Sequence, residues 1–387
     1  MQYKYDFDKI VDRRETYSYK WDIKENEVPM WVADMDFRTA PEIVKALEER
    51  VSNGIFGYTY IPDEWNEAYV NWWKKRHHFE MEKENLIFST GVVPAISSAV
   101  RKLTTANENV VLLTPVYNIF FNSIINNGCR VSECALIYED YQYRIDFEDL
   151  EEKLKDPQTS LLIFCNPHNP IGKIWTKEEM QRVGELCKEH HVTVISDEIH
   201  CDIVDPGYEY IPFASVSDTC KDISITCLAP SKTFNLAGLH TACVYVSNPV
   251  LRHKMYRALN TDEVAEPNAF AMQATIAAFS KGENWLQELC CYIRENKSYA
   301  TDFIEKELPD VKVVSGPATY LLWVDCRNVG KSGVNIAEFI REKTGLYVSP
   351  GEHYGKAGKD FIRINLACPL ANVKKGMELL KEGINLL

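Results

Sequence analysis

Two hydrophobic rhythms divide the chain. Between about residues 85 and 246, short runs dense in β-branched and other apolar residues alternate with stretches of helical period. The apolar runs predict seven strands, at 85–89, 109–115, 130–136, 161–165, 192–196, 223–227 and 241–246. Helices are expected between them at 92–103, 117–127 and 147–154, with another opened by a capping box from Thr176 to Glu179. Strands joined mostly by helices or long crossovers describe a mostly parallel sheet, and ligands of such sheets gather at the strand C-terminal ends. After residue 247 the period lengthens. Residues 251–281 and 284–307 read as long helices, the second carrying a charge pair, Asp302 with Lys306. Strands at 311–314, 320–325, 346–349 and 361–366, with helices at 336–343 and 371–386, then predict a compact α+β unit. The first 45 residues have no strong period and are expected to pack against that unit. The expected division is a large α/β domain at 46–280 and a small α+β domain made of 1–45 with 281–387.

Composition narrows the partners. The 43 Lys and Arg stand against 56 Asp and Glu, a net charge of −13, so the molecule repels polyanions and is not expected to bind nucleic acid. No apolar run approaches the roughly 20 residues of a membrane span, so no membrane association is expected. The first ten residues carry Lys4, Asp6, Asp8 and Lys9 rather than an export signal. Twelve cysteines are scattered through apolar segments, none at the two-residue spacing of zinc or redox motifs, and read as reduced core residues. A cytoplasmic setting and small-molecule partners are expected.

One lysine stands out. The run Ala229-Pro230-Ser231-Lys232-Thr233-Phe234-Asn235 follows a buried strand and sets Lys232 among small and hydroxyl residues. Such a lysine is either a solvated loop cation or a nucleophilic amine whose pKa is lowered by burial and neighbouring positive charge. Asp197 ends the strand at 192–196, where it is either a strand-end cap or a carboxylate held for chemistry. Asn169 lies between prolines, which by itself suggests a turn. Thr90-Gly91-Val92-Val93-Pro94 joins a strand to a helix, and the backbone N–H groups of Gly91, Val92 and Val93 can cradle a phosphate. Arg363, inside an apolar strand, needs an anion or an ion-pair partner. Tyr117 and Tyr58, taken singly, read as core or interface aromatics.

The lysine run resembles the cofactor-lysine motif of fold-type I enzymes that use pyridoxal 5′-phosphate, the class I/II aminotransferase superfamily. Asn166-Pro167-His168-Asn169-Pro170-Ile171-Gly172, Ser196-Asp197-Glu198-Ile199-His200 and Phe361-Ile362-Arg363-Ile364-Asn365 follow in that family's order, so the resemblance spans nearly the whole chain. It implies that Lys232 bonds the cofactor aldehyde and acts as the catalytic base. By the same resemblance Asp197 holds a proton on the pyridine nitrogen and Tyr117 stacks on the ring. Asn169 faces both the phenolic oxygen and the substrate carboxylate. Gly91, Val92, Val93 and Ser231 hold the phosphate, Arg363 clamps the substrate α-carboxylate, and Tyr58 crosses to the phosphate of a neighbouring subunit, which implies a homodimer with shared sites. The sequence departs from many relatives at three places: His200 stands where they have tyrosine, Ala229 where they have serine, and His240 where they have arginine. No metal is expected.

Pro29-Met30-Trp31-Val32-Ala33-Asp34-Met35-Asp36-Phe37, together with Phe56-Gly57-Tyr58 and the Asp-Glu-Ile-His run, resembles the MalY/PatB branch of that superfamily, the cystathionine β-lyases and cysteine desulfhydrases. The branch implies carbon–sulfur β-elimination. Amino transfer is the alternative, since both reactions share their early steps, and a regulatory protein-binding role on the same scaffold is a third.

Overall fold

The computed structural model describes residues 3–314 and 316–387. The seven expected strands form one sheet: β1 (Leu86–Ser89), β2 (Asn109–Thr114), β3 (Arg130–Ala135), β4 (Thr159–Cys165), β5 (Thr193–Asp197), β6 (Ser224–Leu228) and β7 (Ala242–Tyr245). Their order is β1-β7-β6-β5-β4-β2-β3, and only β7 runs against its neighbours. Alternate side chains serve opposite faces. Leu161, Ile163, Ile195 and Ile225 pack toward the helices Val92–Leu103 and Pro249–Thr261, whereas Leu162, Phe164 and Val194 pack toward the helix Lys177–Glu189. Burial on both faces explains why these strands read as continuous apolar runs.

The reversal of direction at β7 adds one loop to the sheet's functional edge. Because β7 is antiparallel to β6, the connection over residues 229–241 stays at the C-terminal edge of β6. It therefore joins the loops that follow β1, β2, β4 and β5 at that same edge.

A second sheet of four strands, β8 (Lys312–Val313), β9 (Leu321–Asp325), β10 (Ser349–Pro350) and β11 (Phe361–Asn365), has the order β8-β9-β11-β10, antiparallel throughout. The helix Glu283–Glu307 spans two cores: Trp285, Leu286 and Leu289 join the aromatic cluster around Trp72 and Phe279, and Ala300 and Ile304 pack with Ile362 and Ile364.

Three expectations are corrected. Residues 251–281 are two helices, Pro249–Thr261 and Ala271–Lys281; between them Glu263 takes a left-handed conformation and Pro267 lacks the N–H a helix needs. Residues 346–349 are split, because Leu346–Tyr347 pairs with Val28–Pro29 and Ser349–Pro350 pairs with β11. Lys306 pairs with Glu307, at 3.1 Å, rather than with Asp302. Residues 3–45 pack on two sides. Val28 and Met30 enter the core under the small sheet, and Phe7 and Phe37 enter the aromatic cluster with Trp285 and Tyr292. The capping box at Thr176 has both of its bonds. All twelve cysteines are free, and all but Cys291 are buried. Among the described residues no helix is long and apolar enough to cross a membrane.

Candidate active site

The loops at the sheet's C-terminal edge enclose a cavity of about 220 Å³. Gly91, Val92, Val93, Tyr117, Asn169, Asp197, His200, Ser231 and Lys232 all line it. Nine residues spread over more than 140 positions of sequence thus meet at one place, each delivered by a strand end.

Lys232 is delivered by the β6–β7 connection, which is anchored from below. Phe234 is buried between Trp72 and Trp285, and Thr233 Oγ1 donates to Asp202 Oδ2 at 3.0 Å. With its neighbours fixed, the lysine points into the cavity, where Nζ donates to the Ala33 carbonyl at 2.6 Å. Burial lowers its pKa from 10.5 to about 8; Arg363 pushes the same way, and Asp34 and Asp197 oppose. The solvated-cation alternative is therefore not what this structure shows.

Asp197 ends β5, buried, with its Oδ1 accepting the Ile199 N–H at 3.1 Å. Burial raises its carboxyl from 3.8 to about 7, against the pull of that N–H and of Lys232. A carboxyl poised this way gains most from a cationic N–H donor. His200 is also buried. Its Nδ1 has no partner, its ring meets the Tyr320 ring edge-on at 5.9 Å, and burial lowers its pKa to about 3, with Lys232 and Arg363 adding to the effect. It is a neutral imidazole here.

The helix Val92–Leu103 starts at Gly91 with no side-chain cap, which leaves the N–H groups of Val92 and Val93 available to an anion at the cavity, while Gly91 N–H donates to Ser89 Oγ at 3.5 Å. Tyr117 lines the wall, its phenol raised to about 12, chiefly by burial. Asn169 owes its place to the turn before Gly172. That glycine has φ +66°, and a Cβ there would lie 2.6 Å from the Ala318 carbonyl oxygen.

Arg363 sits on β11 with 4% of its surface exposed. Nη1 donates to Asn169 Oδ1 at 3.0 Å, Nη2 to the Trp31 carbonyl at 2.9 Å, and the guanidinium lies 4.7 Å over the Tyr354 ring. Nε has no partner, and among the described residues no carboxylate pairs with it. The expected ion-pair alternative is thus absent among the described residues; Arg363 does not itself line the cavity but reaches it through Asn169, and keeps an unspent donor at Nε.

Tyr58 is elsewhere: it is fully exposed, in an irregular stretch with Ile55, Phe56 and Tyr60 also exposed. His240 and Thr241 line the cavity near Ser231, and so does Cys165. Sequence reasoning missed the Ala33 and Trp31 carbonyls and Tyr354. Main-chain acceptors leave no residue-type signal, although residues 29–37 stood out as a motif without a role.

The model of the family "Aminotransferase class I and II" matches residues 26–380. The chain belongs to that family. Relatives and solved structures align over nearly their whole length. Cystathionine beta-lyase PatB of Bacillus subtilis is 43% identical, with 98% of this chain and 100% of PatB aligned. Protein MalY of Escherichia coli is 32% identical over 98% of this chain and 99% of its own. Among solved structures, the PLP-bound C-S lyase from Staphylococcus hominis superposes with a TM-score of 0.92 at 36% identity, covering 98% of this chain and 99% of that one. Cystalysin from Treponema denticola, which contains a pyridoxal 5′-phosphate cofactor, gives 0.95 at 32% identity, with 98% and 99% covered. The mostly parallel seven-stranded sheet with a smaller α+β portion is the fold-type I architecture of this family.

Proposed function

We propose that this chain is a pyridoxal phosphate-dependent carbon–sulfur β-lyase that converts L-cystathionine, and cysteines substituted at sulfur, to a thiol, pyruvate and ammonia. The observation that supports it best is a half-buried, easily deprotonated lysine amine in one cavity with a buried carboxyl and an uncapped helix N-terminus. Those three groups suit the three reactive parts of the cofactor: its aldehyde, its ring nitrogen and its phosphate. Full-length similarity to PatB and to the C-S lyases favours elimination over amino transfer.

When bound, the cofactor supplies a cationic ring that accepts the electron pair left at the substrate Cα. The protein does the rest. Gly91, Val92 and Val93 would offer backbone N–H groups to the phosphate, Gly91 by giving up its bond to Ser89 Oγ, with Ser231 beside them, and Asp197 would keep the ring nitrogen protonated. Tyr117, His200 and Asn169, which line the cavity, would hold the ring in place. Arg363 exchanges weak neutral acceptors for the substrate α-carboxylate and orients Cα toward Lys232. Lys232, through a neutral Nζ, would take the proton from the substrate Cα. As the carbon–sulfur bond breaks, Lys232 returns that proton to the departing sulfur. Water completes the release of pyruvate and ammonia.

The same reading divides the chain into a cofactor-binding unit, residues 46–280, and a clamping unit of residues 1–45 and 281–387. It also makes the active form a cytoplasmic homodimer in which the exposed Tyr58 reaches the phosphate in a second copy. Chains with Lys232→Ala and with Tyr58→Ala, each inactive alone, are expected to recover activity when co-assembled.

The deciding experiment gives the cofactor-loaded protein L-cystathionine with no keto acid. Homocysteine, pyruvate and ammonia are expected in equal amounts. Turnover that appears only with a keto acid, with an amino acid formed from it, would overturn the lyase reading in favour of an aminotransferase.

A further inference from the structure

Residues 31–37 run past the cavity, which Ala33 lines, as an irregular strap between the strand Val28–Pro29 and the helix Pro41–Ser52. Its main-chain oxygens from Trp31 to Met35, and that of Phe37, are each gripped by side chains, with Lys20 and Arg13 also reaching Asp34 O and Met35 O. Arg363 Nη2 holds Trp31 O; Asn365 Nδ2 holds Val32 O and Asp34 O at 2.6 and 2.7 Å. Lys232 Nζ and the Tyr320 hydroxyl hold Ala33 O, and Asn235 Nδ2 holds Met35 O and Phe37 O, both at 3.0 Å. The outer side is held by charge. Arg13 forks onto both carboxylate oxygens of Asp34 at 3.0 Å and also reaches Asp36 at 2.9 Å, while Lys20 binds Asp36 at 2.8 Å. Two cations and two carboxylates thus secure the stretch that directly follows the Ala33 carbonyl.

Four groups bear on the Lys232 amine: Asp34 from the strap, Asp197 from the end of β5, Arg363 from β11, and the neutral His200 from the loop after β5. Asp34 and Asp197 favour the charged amine, and Arg363 disfavours it. Of these, only Asp34 has its own counter-ion outside the cavity.

We propose that Asp34, held by Arg13, is a positioning residue for Lys232. The ion pair pins the strap so that the Ala33 carbonyl receives the free ε-amine, and it sets how much negative charge that amine meets. The role of the free amine rests on the lyase reading; its protonation does not. Holding one N–H on Ala33 O directs the remaining positions of Nζ, its lone pair among them, into the cavity. Arg13, in turn, attenuates Asp34 without touching the site.

The test is competitive acylation of the full-length, cofactor-free protein, with label at Lys232 quantified by mass spectrometry as pH is varied. The parent is expected to titrate near pH 8. Asp34→Asn removes an attractive charge while keeping an acceptor for Arg13, and is expected to weaken proton binding at Nζ about three- to tenfold. Arg13→Gln leaves Asp34 uncompensated and is expected to strengthen it, with Arg13→Lys returning most of the way. A strap that is merely loosened would move both variants in the same direction, and that result overturns the proposal. So does an unchanged titration in Asp34→Asn, which decides the matter by itself if Arg13→Gln does not fold. The lyase reading fails separately: loading the parent with pyridoxal phosphate and reducing with borohydride would then leave Lys232 unmodified, whatever its titration.

Discussion

Replacing Arg363 by Met tests whether the guanidinium serves binding or folding. In the ligand-free protein it is buried, accepted by a neutral amide and a neutral carbonyl, and faces no carboxylate among the described residues. A side chain in that state contributes little to stability, because desolvation of the charge offsets those two bonds. A substrate carboxylate changes the balance. Two charge-assisted hydrogen bonds at about 1.5–3 kcal/mol each, less the neutral contacts surrendered, leave a net of about 2–4 kcal/mol. That corresponds to a rise in KM of roughly 30- to 700-fold with kcat changed far less, since the contact exists before and during the reaction. Denaturant melts of the cofactor-free variant are expected to stay within about 1 kcal/mol of the parent. The assays are steady-state kinetics on L-cystathionine and on its analogue lacking the α-carboxylate, which should be insensitive to the change. Destabilisation by more than about 3 kcal/mol with an unchanged KM would refute the reasoning and return Arg363 to a structural role.

Lys232→Ala is expected to abolish turnover and to leave no site for borohydride to fix the cofactor; residual activity near the parent level would contradict its role. Asp197 gives a pH signature. Its folded pKa is raised from 3.8 to about 7, so in the cofactor-free protein its contribution to stability is fully present below 3.8 and is lost as pH rises through about 7. The loss is on the order of 4 kcal/mol; Asp197→Asn should flatten that slope in melts across this window, and an unaltered slope would be the contrary result. Gly172→Ala forces a Cβ within 2.6 Å of the Ala318 oxygen at a φ of +66°, and is expected to cost at least about 2 kcal/mol, read as a lower denaturation midpoint.

The large sheet was legible because its strands are buried on both faces and separated by helices of clear period, and all seven lie where the apolar runs place them. Cavity-lining side chains at strand ends were legible for the same reason: packing alone rarely leaves a carboxylate, an amide and a lysine directly after apolar runs. What stayed hidden was contributed by the main chain or by tertiary context. The Ala33 carbonyl is chemically like any other until the strap is laid across Lys232. The break between Thr261 and Ala271 had a signal in Pro267 and the polar Asp262-Glu263 pair, which the apolar residues on either side outweighed. Residues 346–349 looked like one strand because the pattern does not reveal that two different sheets share it.

The strap also fixes an order of events during synthesis. Val28 and Pro29 find their strand partners at Leu346 and Tyr347, and Met30, Val32 and Asp34 are tied to Asn365, more than three hundred residues downstream. A growing chain therefore emerges with Val28 and Met30 lacking the strand and core that shelter them, and they remain so until the last fifth of the protein has left the ribosome. The loops carrying Lys232 and Asp197 can take shape well before then. Catalytic competence arrives late, when the chain's earliest segment is finally pinned by one of its latest.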